Sequence, residues 1–257
     1  LNVEPIMLIM KFYSLIFLIL FPFSGHVSSS NVFESAFSVM DTLPARASGI
    51  LPEAVREELP SDTNTVCRLT DADYERVANE LNIDIATMKA VVEVEAGVSH
   101  RGFAAPGIPL VNFDLVLFKR FMHRAGKSVA KYAGNIAFVR PNIRKYGTLG
   151  KAHWARLESA RKINKEIAEK ATFWGMFQIG GFNWKLCGVD SLDDFIARMS
   201  RSEAEQLELF ARFITRNNLV KYLQAKNWAG FAYHYNGPRY KARGYHTRLA
   251  RAYRKHL

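Results

Sequence analysis

The chain has little with which to staple itself together or to hold a metal. Only two cysteines occur, Cys67 and Cys187, so a disulfide-built scaffold is excluded, while one bridge or two buried free thiols remain open readings. His153, His234 and His246 show no metal-ligand spacing, and no metal and no cofactor are expected. Few segments alternate with period two, and no internal repeat is found. Zinc-ligand spacing, an aromatic RNA-binding motif and a single Lys/Arg-dense arm are all missing, which argues against nucleic acid as a partner. Acids are the scarcer charge: 24 Asp and Glu against 35 Lys and Arg leave a net charge of +11. The cations are spread, with some excess after Arg239, and a basic chain suits an anionic polymer.

What is present is the composition of a globular protein, 49% hydrophobic and 23% charged. Leu1 is not a usual initiator, and Met10-Lys11 opens a charge-then-apolar run, Phe12 to Phe23, that ends in small and polar residues. That is the layout of a secretory signal peptide over residues 1–29. The run is short for a membrane span and contains Pro22, so a retained signal anchor is the alternative. The expectation is an exported protein, periplasmic or secreted, with no stable membrane insertion after cleavage. Residues 30–66 mix Ser, Pro, Gly and acids and read as a linker or N-terminal extension. Beyond the leader about 225 residues remain, enough for one well-buried core. Residues 67–257 are expected to form that single domain.

From Cys67 onward the pattern is helical. Thr70 with Asp73 resembles a capping box ahead of a stripe of Tyr74, Val77, Ala78 and Leu81, closed by Asn82. Asp84 is a candidate N-cap for the next helix and Gly97 its candidate C′ residue. Asp114 to about Arg124 predicts a third helix, with Leu117, Phe118, Phe121 and Met122 buried. Residues 125–150 read mostly as loop. Ala152 to Ala171 is strongly helical, its Glu158/Lys162 and Glu166/Lys170 pairs reading as a solvated face. Ser202 with Glu205 makes a second capping box, Asn227 caps a helix stopped by Asn236-Gly237-Pro238, and a basic helix carries Tyr245, Leu249 and Tyr253. The fold class is mainly α.

Chemistry enters at Ala90-Val91-Val92-Glu93-Val94-Glu95. At about 100° per residue, Met88, Val91, Val92 and Glu95 share one face, while Ala86, Lys89 and Glu93 fall opposite. Glu93 is then the solvated acid, near Lys89, and Glu95 the buried one. In the last turn both the helix dipole and an apolar wall disfavour its carboxylate, and the raised pKa suits a general acid. Two later segments could share a cleft with it. In Trp174-Gly175-Met176-Phe177-Gln178-Ile179, glycine admits close backbone approach and Gln178 offers a donor and an acceptor. In Phe231 to Pro238, Tyr233, Tyr235 and Asn236 offer aromatic faces and an amide, the groups a sugar chain needs. Trp174 is either a sugar platform or a core anchor.

In that order, Ala90 to Glu95, Trp174 to Ile179, Asn183 with Gly188, Phe231 to Pro238 and Tyr245 with Leu249-Ala250 resemble the N-acetylmuramidase family of phage endolysins and bacterial relatives, within the lysozyme superfamily. The resemblance runs from about Leu69 to the C-terminus. It implies a lysozyme-like single catalytic domain with a glycan-binding groove, acting as a monomer on peptidoglycan glycan strands. The implied reaction is cleavage of the β-1,4 bond between N-acetylmuramic acid and N-acetylglucosamine, with Glu95 as the catalytic glutamate. Where the family usually has Leu-Phe-Glu and a nearby Arg-His, this chain has Asn112-Phe113-Asp114-Leu115-Val116. The acid is a methylene shorter and the His is missing, so Asp114 is either the second carboxylate or the N-cap of its own helix. Lytic transglycosylation and an idle wall-binding module are the alternative functions.

Overall fold

The computed structural model describes residues 68–96, 101–140 and 150–257. The expected leader, the extension, both expected boundaries, Cys67 and Gly97 lie outside the described residues. Cys187 is a buried free thiol.

Helix α1 (Asp71–Glu80) starts at the expected capping box, in which Thr70 accepts from the Asp73 N–H and Asp73 reaches back to the Thr70 backbone. Asn82 turns the chain with φ of 50°. Helix α2 (Ile85–Glu95) then begins at Asp84, whose carboxylate accepts the Thr87 N–H at 2.6 Å. The face pattern of α2 needs one correction: Ala86 is 4% exposed, as buried as the core face. Glu93 is not paired with Lys89. It holds Lys255 at 2.8 Å and His256 at 2.9 Å, while Lys89 reaches Asp71. Those contacts tie α2 to the last helix, α9 (Tyr245–His256), which packs along it and against α8 (Trp228–Asn236).

Two small sheets come from the middle of the chain. β1 (Phe103–Ala105) and β2 (Ile108–Pro109) form a hairpin, and β3 (Val111–Phe113) pairs antiparallel with β4 (Thr172–Trp174), which pairs with β5 (Ile179–Gly180). In register, Val111 faces Trp174 and Trp174 faces Ile179. Helix α3 (Leu115–Arg124) follows β3, and α4 (Lys151–Lys170) packs on the sheet. α4 is two helical pieces joined at Asn164, whose backbone leaves the helix and whose side chain caps the second piece at Ile167. Its charges are not all solvated: Glu169 is 2% exposed and holds Arg161 and Lys165. Glu166 pairs with Lys170 as expected, but Glu158 pairs with Arg161.

Helix α5 (Leu192–Met199) precedes α6 (Glu203–Arg216), and the short α7 (Val220–Gln224) follows. Ser202 caps α6 through the Glu205 N–H, but the Glu205 carboxylate turns to Arg198 and Arg201 instead of closing the box. α6 organises two loops at once. The fully buried Gln206 accepts the Met176 N–H at 2.8 Å and donates to the carbonyls of Met199 and Gly102. Its Oε1 would stand 2.3 Å from a Cβ at Gly102 and 2.7 Å from one at Gly175, which also has φ of +72°. Both positions therefore require glycine. Glu203 holds the Gly102 and Leu69 N–H groups and Arg68.

Replacing Gln206 by Leu strands one buried N–H and two carbonyls, at a cost of about 2 to 4 kcal/mol. Urea unfolding measures it, and a loss under about 1 kcal/mol would show that the amide does not organise these loops.

Candidate active site

Glu95 is the last residue of α2. The helix is packed by Met88, Ala90, Val91, Val92 and Val94, all nearly or fully buried, so its C-terminal end is carried into the protein rather than out to water. Glu95 as a residue is half-buried, yet its carboxyl tip is closed in. Oε2 accepts a hydrogen bond from Asn236 Nδ2 at 2.9 Å, while Oε1 is buried without a partner. Burial pushes the pKa up to about 7, against the lowering effects of the Asn236 bond and the Arg248 charge. Because Asn236 donates to Oε2, the protonated carboxyl carries its hydrogen on Oε1. The proton thus sits on the oxygen that no protein group engages.

Asn236 closes α8, whose N-terminus is capped by Asn227 as the sequence predicts. It is 2% exposed, and its Oδ1 is also without a partner. Tyr235 points into an aromatic cluster, stacked on Phe231 at 5.4 Å and edge-on to Phe210 at 5.6 Å. Its hydroxyl makes a long contact of 3.5 Å to the Phe177 carbonyl. Burial, then the Glu95 charge, holds its pKa well above the usual phenol value, so it remains a neutral donor. Gln178 follows Phe177 in the turn between β4 and β5. Its backbone is left-handed at φ of 50°, its Nε2 donates to Gly175 O at 2.8 Å, and its Oε1 is buried without a partner. Glu95 and Asn236 thus meet directly, and Tyr235 links them to the Phe177–Gln178 turn.

Other sequence candidates stand elsewhere. Trp174 is fully buried in the central strand, donates to the Glu169 carbonyl and packs edge-on against Trp154 at 6.0 Å. It is a core anchor in this structure rather than a sugar platform. Tyr233 is 43% exposed and stands edge-on to Tyr240 at 6.1 Å. Asp114 is the N-cap of α3, accepting the Leu117 N–H at 2.8 Å, with Arg156 and Arg120 as its nearby cations. Burial raises its pKa despite them. Among the described residues, no group of His, Cys, Asp and Glu could hold a metal ion, and no helix is long and apolar enough to cross a membrane.

Sequence reasoning missed Arg248. It lies on α9, donates to the Val94 carbonyl at 3.4 Å, and its charge acts on Glu95. The available signal was its position one turn after Tyr245 on the basic final helix. Gln206, which orders the Gly175–Met176 backbone, was missed for lack of any local pattern.

Comparison with known proteins identifies the family. The model of the Muramidase family, described as N-acetylmuramidase, matches residues 84–257. Among solved structures, the endolysin of Burkholderia AP3 phage is similar, with 40% identity and a TM-score of 0.63 over 74% of this chain and 70% of that one. No curated protein matches. An acid buried at a helix end, held by an amide from a later helix in a mainly α fold, occurs here in a chain that belongs to the N-acetylmuramidase family.

Proposed function

We propose that the protein hydrolyses the glycan strands of bacterial peptidoglycan, cleaving the β-1,4 bond between N-acetylmuramic acid and N-acetylglucosamine with Glu95 as general acid. The observation that carries this reading is the Glu95 carboxyl itself, shifted to about 7 by burial, bonded on one oxygen and unpartnered on the other. Near neutral pH it is substantially protonated, and Oε1 can deliver its hydrogen to the leaving oxygen as positive charge develops at the anomeric carbon. Asn236 holds the carboxyl in orientation and steadies the carboxylate left after transfer. Gln178 Oε1 and Asn236 Oδ1 are acceptors for sugar hydroxyl or N-acetyl N–H groups, and Tyr235 and Tyr233 complete the proposed binding set. Export to the wall compartment belongs to the same reading and is supported by the leader-like segment 1–29.

Asp114 serves in this reading as a cap that positions α3. Its Oδ1 already takes the Leu117 N–H, and the Val116 N–H bonds the same carboxylate. A single acid also suits a lytic transglycosylase, in which the muramyl 6-hydroxyl replaces water. Mass spectrometry of the products decides between them: reducing ends are expected, and 1,6-anhydromuramyl ends would overturn hydrolysis.

Glu95→Gln is expected to lose at least about 100-fold in clearing of embedded peptidoglycan; equal clearing by both proteins would remove Glu95 from the mechanism. Wild-type activity should fall as pH rises through about 7. Stability follows the same group. The folded pKa of about 7 lies above the ordinary 4.5, so the native state binds more protons between those values and loses stability as pH rises through them. Above pH 8 the buried carboxylate costs about 3 kcal/mol. Glu95→Gln should therefore unfold at higher urea than wild type at pH 8, and at nearly the same urea at pH 4. A variant destabilised at both pH values would contradict that assignment.

Asn is as good an N-cap as Asp. Asp114→Asn is thus expected to keep activity within about threefold, whereas Asp114→Ala loses about 1 kcal/mol of stability. A loss of 100-fold or more in the Asn variant, with unchanged unfolding, would make Asp114 the second carboxylate.

A further inference from the structure

Six buried side-chain atoms without a hydrogen-bond partner belong to Glu95, to Asn236 that bonds it, to the Gln178 turn and to the segment carrying Arg248. Three are acceptors already named, Glu95 Oε1, Gln178 Oε1 and Asn236 Oδ1. Three are nitrogens on the segment that runs from the end of α8 into α9: Arg243 Nη1, His246 Nδ1 and Arg248 Nη1. The acceptors suit an uncharged sugar. The guanidinium nitrogens do not, because each is a permanently charged donor, and taking it out of water without an acceptor is costly.

The protein supplies little negative charge to meet them. Beyond Glu208 the sequence has no Asp or Glu but eleven Lys and Arg, equal to the whole net charge of +11. The cations are thus not spread evenly; the C-terminal segment carries the excess. Lys226 and Lys255 are answered from α2 by Asp84 and Glu93. Arg248 spends Nη2 on the Val94 carbonyl, and Glu95, on which its charge acts, is half neutral near pH 7 at its raised pKa. α9 opens at Gly244, directly after Arg243, with no capping side chain. Aromatic rings continue the wall: His246 stands edge-on to Tyr240 at 5.3 Å, and Tyr240 edge-on to the exposed Tyr233 at 6.1 Å.

We propose that Arg243, just before α9, and His246 and Arg248, on its first turn, form a carboxylate-binding subsite beside Glu95 that receives the acidic group carried by the muramyl residue of the glycan. The proposal rests on the peptidoglycan reading above. It explains why the cations adjoin the acid: a glycan held by its own charge is registered so that the bond next to the muramyl unit lies at Oε1. The carboxylate has two sources, the lactyl group of a bare muramyl residue or the peptide stem attached to it, and both present the same planar anion to a guanidinium fork.

Arg243 tests this with variants that leave the Asn236–Glu95 hydrogen bond in place. Wild type, Arg243→Gln, Arg243→Lys and Arg251→Gln are assayed on three soluble substrates: stem-bearing strands, strands stripped by an amidase to the lactyl carboxylate, and stripped strands whose carboxylate has been converted to a neutral amide. Arg243→Gln is expected to raise KM about tenfold on carboxylate-bearing strands with kcat within about twofold, and to leave the neutral strands unchanged. Arg243→Lys should recover part of the loss, and Arg251→Gln, at an exposed cation of α9, should change none of the three. A KM effect confined to stem-bearing strands assigns the stem carboxylate, and one on stripped strands as well assigns the lactyl group. Equal effects on charged and neutral strands, or no effect on any, would overturn the subsite while leaving the hydrolase reading intact. A wild type that cleaves none of the three overturns both.

Discussion

The hydrogen bond from Asn236 Nδ2 to Glu95 Oε2 is the contact on which the site depends. It joins the end of α2 to the end of α8, two elements far apart in sequence, at a point closed to solvent. Each end has its own anchor. α2 is buried almost all round and is held to α9 through Glu93, Lys255 and His256. α8 stops at Asn236 because Gly237 takes a positive φ of 87° and Pro238 cannot continue a helix. With both ends fixed, the carboxyl has one settled orientation. Without the bond, a protonated acid in an apolar wall would be free to turn either oxygen outward, and the proton would have no defined position.

Local features of the sequence carried most of the helical architecture. Thr70, Asp84, Asp114, Ser202 and Asn227 each cap the helix that their position predicts, because capping is settled within four residues. The three-stranded sheet was not legible. Its strands are two or three residues long, and every residue of Val111–Phe113 and Thr172–Trp174 is buried, so no alternation between wet and dry faces survives to be read. The α5 helix and the short α7 were missed because they lie in runs without a long apolar period. At the site, helical phase separated Glu93 from Glu95, but it did not show that α9 would meet Glu93 with Lys255 and His256, or that Ala86 on the same side would be buried. No local rule describes a helix packed on more than one face. Arg248 and Gln206 were invisible for the same reason: their roles are set by partners on other elements.

The electrostatics of Glu95 turn on the placement of Arg248. The proposed general acid needs desolvation to win over attraction by neighbouring cations, yet Glu95 meets the C-terminal segment, the most basic part of the chain. A guanidinium bonded directly to the carboxylate would pull its pKa down by about 1 to 3 units and leave it ionised. Here the Arg248 guanidinium is directed to the Val94 carbonyl and lies over the Tyr245 ring at 5.4 Å from its centre. Its charge is felt by Glu95 without forming the pair, so burial remains the larger effect and the acid settles at about 7. In the proposed mechanism the same cation would stabilise the carboxylate that remains once the proton has been delivered. The group that would hold the acid ionised at contact distance leaves it free to carry a proton one side chain away.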